Sequence, residues 1–202
     1  MTFARDRRIL FFGDSFVAGI GDPEGLGWVG RAVAAAYAAG RPLTAYNLGV
    51  RRDTSADVLA RWEAEARARM GASEASYGIV FGLGTNDTTE EGGRVRVEPG
   101  IAVDNLGRLI ETARASGLDV FVVGPPPAGE RAQDERVCAL SVRLAALARA
   151  RGVPFVETAT TLRATPAWTA AAAAGDGSHP GASGYAALAE LVLGGGFLSW
   201  LD

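Results

Sequence analysis

The sequence predicts a doubly wound α/β/α sandwich, with five parallel strands in the order 2-1-3-4-5 between two layers of helices. Three observations carry that expectation. Five short apolar runs recur along the 202 residues, separated by segments whose apolar residues return every three to four positions, the alternation that builds βαβ units with right-handed crossovers. The third run, YGIVFGL at 77–83, is apolar without interruption, as expected of a strand covered on both faces. Several runs end on glycine followed by polar residues, which collects chemistry-bearing side chains at one edge of the sheet.

The first strand is the run Ile9 to Phe12, broken at Gly13-Asp14-Ser15. The glycine-rich stretch 19–27 reads as a loop, and Trp28 to Ala39 as a helix. Leu43 to Leu48 forms the second strand, ending at Asn47-Leu48-Gly49. Thr54 is placed to cap the next helix, with Asp57 in its first turn. In that helix Val58, Trp62 and Ala66 share a face, so Trp62 belongs to the core. The pair Arg51-Arg52 before it reads as a solvated loop, with steering of an anionic substrate as the other role.

The third strand runs into Gly84-Thr85-Asn86-Asp87. A polar loop at 88–96 precedes a helix that starts near Pro99 and turns Leu106, Leu109, Ile110 and Ala113 to one side. Asp119 to Gly124 is the fourth strand, and the prolines at 125–127 stiffen the loop after it into a wall. The loops at 88–96 and 125–134 are placed to shape substrate access. A helix from about Asp134 to Ala150 follows, with Cys138 expected as a small buried hydrophobe among Val137, Leu140 and Leu144. Val153 to Val156 is the fifth strand. Residues 158–175 form a loop with a short alanine-rich helix, and a last helix runs from about Ala182 to Leu193.

The whole chain, 1–202, is expected as a single domain. With 48% hydrophobic residues and a formal net charge of -3, it lacks the basic block that would point to nucleic acid. No run approaches transmembrane length and the N-terminus lacks a leader pattern, so no membrane partner is expected and the cytoplasm is the expected location. Nothing in the sequence bears on oligomeric state. A Rossmann or P-loop reading fails, because no Gly-x-Gly-x-x-Gly follows the first strand and no Gly-Lys-Ser/Thr occurs.

In a parallel sheet, Ser15, Gly49 and Asn86 after the first three strands meet Asp176 and His179 after the fifth at one edge. His179 is the only histidine. Three residues after Asp176, its Nδ1–H can be held by that carboxylate, which leaves Nε2 to accept a serine proton. One histidine without cysteines or an acidic cluster does not make a metal site. Acyl transfer further needs donors for a developing oxyanion, and the Gly49 N–H, the Asn86 side-chain amide and the Ser15 N–H are the candidates. Asp14 and Asp87 are expected to serve turn and loop hydrogen bonds.

Gly13-Asp14-Ser15, Gly49, Gly84-Thr85-Asn86-Asp87 and Asp176-x-x-His179-Pro180, in that order, resemble the four blocks of the SGNH, or GDSL, hydrolase family. The resemblance implies a flavodoxin-like sandwich and an esterase or lipase activity that needs no cofactor. It assigns Ser15 as nucleophile, His179 as base and Asp176 as its orienter, with Ser15, Gly49 and Asn86 as the oxyanion hole. Phe16 stands where the family's leucine is usual, and an effect on packing is expected from it. The Gly-x-Ser-x-Gly elbow of α/β-hydrolases is absent. The expected reaction is hydrolysis of a small-molecule ester. The alternatives are a carbohydrate O-deacetylase, a thioesterase or lysophospholipase of the same family, and a non-catalytic acyl- or carbohydrate-binding module.

Overall fold

The computed structural model describes residues 6–71 and 74–202. Strands β1 (Arg7–Gly13), β2 (Thr44–Gly49), β3 (Ser76–Gly82), β6 (Asp119–Val123) and β7 (Phe155–Val156) form one parallel sheet in the order β2-β1-β3-β6-β7. Counted without the hairpin strands β4 (Glu90–Glu91) and β5 (Arg94–Val95), this is the expected order 2-1-3-4-5.

Side chains along β1 alternate between two cores, as the period of a strand requires. Ile9 and Phe11 face α2 (Gly27–Ala38), α7 (Pro166–Ala174), α8 (Ala182–Gly194) and α9 (Phe197–Trp200), where Trp28, Trp168, Tyr185 and Phe197 are buried. Leu10 and Phe12 face α3 (Ser55–Arg67), α4 (Pro99–Ala115) and α5 (Arg131–Ala150), through Trp62, Leu106, Leu109 and Leu140. Each such fully buried side chain contributes roughly 1.5–3 kcal/mol. The start of α3 is set by a capping box: Thr54 Oγ1 accepts from the Asp57 N–H at 3.3 Å, and the Thr54 N–H donates to the Asp57 carboxylate at 2.9 Å.

Four local differences from the sequence expectation stand out. The loop at 88–96 contains the β4–β5 hairpin, turned by two glycines at positive φ, Gly92 and Gly93. The segment 158–175 holds two helices, α6 (Ala159–Arg163) and α7, the second opened by Pro166. Helix α9 follows α8 because Phe197 finds a place against Phe11 and Phe121. Cys138 is only half-buried. The buried stripe of α5 runs through Val137, Leu140, Leu144 and Ala148, one helical position away from it.

Candidate active site

The C-terminal edge of the sheet is built by close approach of β1 to its neighbours. A Cβ on Gly13 would lie 1.9 Å from the Gly82 carbonyl oxygen, so only glycine fits there. The chain then turns into α1 (Ser15–Ala18), with Asp14 as N-cap accepting from the Phe16 N–H at 2.9 Å. The turn leaves Ser15 at the first helical position, where its N–H has no intrahelical acceptor.

Asp176 and His179 arrive in the connection between α7 and α8. The Asp176 carboxylate accepts from the backbone N–H groups of Ser178 and His179, at 3.0 and 2.8 Å, folding the turn around itself. Its other oxygen lies 2.7 Å from His179 Nδ1. The His179 N–H, the imidazole and the Ser178 N–H together hold the Asp176 carboxyl well below the usual carboxylate range. On the far side of the ring, His179 Nε2 is 2.8 Å from Ser15 Oγ. With Nδ1 protonated, Ser15 donates to Nε2, the arrangement a general base on a hydroxyl requires. The Phe16 ring lies 5.1 Å from the imidazole and 5.7 Å from the Trp168 ring, so it fills the space behind the histidine.

The structure brings Asn86 to the same cleft as Ser15 and His179, which has a volume of about 270 Å³. Its amide donates to Asp14 Oδ2 at 3.2 Å and to the Asp53 carbonyl at 3.1 Å. Gly49 closes β2, where its N–H donates to Asn47 Oδ1 at 3.1 Å. A Cβ on Gly49 would lie 2.3 Å from the Ala18 N, so close packing of β2 on α1 accounts for the glycine.

Three supporting contacts escaped the sequence reading. Arg61 donates to Asp53 at 2.6 Å, to the Gly13 carbonyl at 3.1 Å and to the Leu48 carbonyl at 2.8 Å, tying the ends of β1 and β2 together. Gln133 donates to the Thr85 carbonyl at 3.2 Å, bracing the segment that carries Asn86. Thr85 in turn donates to the Pro126 carbonyl at 2.7 Å. Only the Asp53–Arg61 spacing, with opposite charges eight residues apart at a helix start, could have hinted at the first. Asp14 and Asp87 do take the hydrogen bonds of their turns. Asp87 accepts from the backbone N–H of Ser55 at 3.0 Å and from its hydroxyl, which fixes the loop to the start of α3. Burial raises the Asp87 carboxyl above its ordinary range and pushes Asp14 up to about 7.

Among the described residues no group of three or more His, Cys, Asp or Glu could hold a metal ion, and no helix is long and apolar enough to cross a membrane.

No curated protein matches the chain. Solved structures share its fold. The lipase/acylhydrolase from Enterococcus faecalis superposes with a TM-score of 0.75 at 24% identity, over 93% of each chain. Axe2, an acetylxylan esterase from Geobacillus stearothermophilus, gives 0.77 at 20% identity over 96% of each chain. LAE5, an alpha/beta hydrolase enzyme from the metagenome of Lake Arreo, Spain, gives 0.74 at 21% identity, over 99% of this chain and 98% of its own. The sequence profile of the GDSL-like lipase/acylhydrolase family matches residues 11–187, from inside the strand ahead of Ser15 into the helix after His179, and this chain is a hydrolase of that family.

Proposed function

We propose that the chain is a serine ester hydrolase acting through an acyl-enzyme on small, dissolved esters in the cytoplasm, with Ser15 as nucleophile. The observation that carries this reading is the continuous line from Ser15 Oγ through both nitrogens of His179 to Asp176, at 2.8 and 2.7 Å. Ser15 Oγ attacks the ester carbonyl while His179 Nε2 takes the hydroxyl proton, and Asp176 stabilises the imidazolium. The developing oxyanion is met by the Ser15 N–H, the Gly49 N–H and the Asn86 amide, the last two exchanging their acceptors Asn47 Oδ1 and Asp14 Oδ2 for it; one such donor is worth about 10²- to 10³-fold in rate. Collapse expels the alcohol, which receives the proton from His179. A water, deprotonated by the same nitrogen, then attacks the acyl carbonyl and frees Ser15 with the acid as product.

A cleft of about 270 Å³ accommodates a short acyl group, and O-deacetylation of a carbohydrate is the second reading. The test is hydrolysis of a 4-nitrophenyl ester series from acetate to long acyl chains by the wild type and by Ser15→Ala. Turnover that is best at acetate and lost in the variant is expected. A Ser15→Ala protein with undiminished rate would remove the serine mechanism, and an optimum at long chains would replace the short-acyl reading with a lipid-accepting one.

A further inference from the structure

We infer that this cleft selects esters carrying a negative charge, and that Arg51 is the residue that recognises it. The inference rests on the hydrolase reading above and adds the substrate class. Three arginines, Arg51, Arg52 and Arg96, line the cleft that holds Ser15 and His179, and among the described residues no Asp or Glu lines it with them.

The three arginines are not equivalent. Arg52 is paired with Glu91 at 2.7 Å. Arg96 donates to the Arg52 carbonyl at 2.7 Å and has Glu91 and Asp57 each at 3.9 Å. These two form a braced unit that anchors the β4–β5 hairpin beside the start of α3. Arg51 has no ion pair and no hydrogen bond to any described residue, although it stands next to Arg52 at the same wall. Folding does not use its charge. A guanidinium left free at the mouth of a catalytic cleft offers a planar set of donors that matches a carboxylate or phosphate.

Charge of one sign in a concave site focuses the field on whatever enters, and raises capture of an oppositely charged ligand by about tenfold or more at low salt. A neutral ester gains nothing from Arg51. One with a carboxylate or phosphate on its acyl or its alcohol part is drawn in and oriented while its carbonyl meets Ser15. Because Arg51 is exposed, the advantage shrinks as salt shortens the screening length to below about 10 Å.

The experiment compares two matched pairs of esters by kcat/KM, with Ser15→Ala as the blank. In one pair the charge is on the alcohol side, 4-acetoxybenzoate against 4-acetoxybenzamide. In the other it is on the acyl side, 4-nitrophenyl hydrogen succinate against 4-nitrophenyl pentanoate. The charged member of at least one pair is expected to be favoured about tenfold at low salt. That ratio is expected to fall towards one in Arg51→Gln and in 0.5 M salt, and to survive in part in Arg51→Lys. The pair that responds shows which side of the ester carries the charge. A ratio near one in both pairs, or a ratio that Arg51→Gln leaves intact, overturns the inference while leaving the hydrolase reading standing. Absence of turnover on all four esters would instead count against the hydrolase reading. Binding of 4-hydroxybenzoate against 4-hydroxybenzamide to Ser15→Ala then decides the charge preference on its own, with equal affinities overturning it.

Discussion

The Asn86 side-chain amide donates across 3.2 Å to Asp14, a carboxyl that is 1% exposed and belongs to the turn presenting Ser15. The residue that caps α1 therefore also holds a donor over the cleft. Because burial pushes Asp14 up to about 7, the folded protein binds a proton there that the unfolded chain has released, from its ordinary value of 3.8 up to about 7. In that window the unfolded state binds fewer protons, so this group lowers folding stability as pH rises, by about 1.4 kcal/mol per pH unit at most. Asp14→Asn is expected to flatten the decline between pH 5 and pH 8, measured by urea unfolding of both proteins across that range. Parallel curves would show that Asp14 is ionised in the fold at little cost.

Asp176 shows the opposite sign. Its carboxyl is held below the ordinary range, so its contribution to stability is complete above about pH 4 and disappears only as pH falls further towards its lowered folded value. Since its side chain is about half exposed, its main effect falls on His179 rather than on the fold. Asp176→Asn is expected to leave the melting temperature within a few degrees of wild type and to lower kcat by about 10⁴, the loss seen where the orienting carboxylate of a serine–histidine pair is neutralised. A variant with near-normal kcat would take Asp176 out of the mechanism.

The strand order was legible because the residues that decide it are local: an apolar run is a strand wherever it packs, and short crossovers leave few orders open. Ser15, Asn86, Asp176 and His179 could be singled out for the same reason, since each follows a strand or sits in a short polar motif, and the sheet then brings them to one edge. Donor assignments were less legible. Gly49 has the right address after β2, but only three-dimensional packing reveals that its missing Cβ makes room for Ala18 and that its N–H, like the Asn86 amide, already has an acceptor. The unpaired state of Arg51 was likewise hidden, because which of the two adjacent arginines meets Glu91 of the distant hairpin is decided only in the fold, and it is Arg52.

Phe16 is 4% exposed and lies against both Trp168 and the imidazole of His179. Truncation to alanine is expected to cost about 3–5 kcal/mol, the usual range for a buried phenylalanine. It also leaves a void behind the imidazole. Phe16→Leu keeps most of the volume and is expected to cost less than about 1.5 kcal/mol. Thermal melts rank the two variants for stability. A kcat that falls in Phe16→Ala but holds in Phe16→Leu, on the folded fractions, would show that packing behind the ring positions His179; equal kcat values in both would deny it.

Arg61 connects stability to the site most directly. Its guanidinium serves Asp53 and the carbonyls of Gly13 and Leu48, and the Asp53 carbonyl is one of the two acceptors holding Asn86. Asp53 is 9% exposed, and desolvation raises its carboxyl even with Arg61 beside it. Removing the arginine leaves a largely buried carboxylate unpaired and takes a donor from each of two strand-end carbonyls, of which Gly13 keeps the Val50 N–H at 3.0 Å, so Arg61→Met is expected to destabilise by about 2–4 kcal/mol. That is less than the 5–15 kcal/mol typical of a folded chain, so the variant is expected to fold. The double variant Arg61→Met/Asp53→Asn removes the stranded charge and is expected to recover part of the loss, leaving the cost of the two carbonyls. Urea midpoints at constant m-value measure both terms. If the double variant is no more stable than Arg61→Met, the carbonyl bonds rather than the ion pair are what join β1 to β2 at this edge.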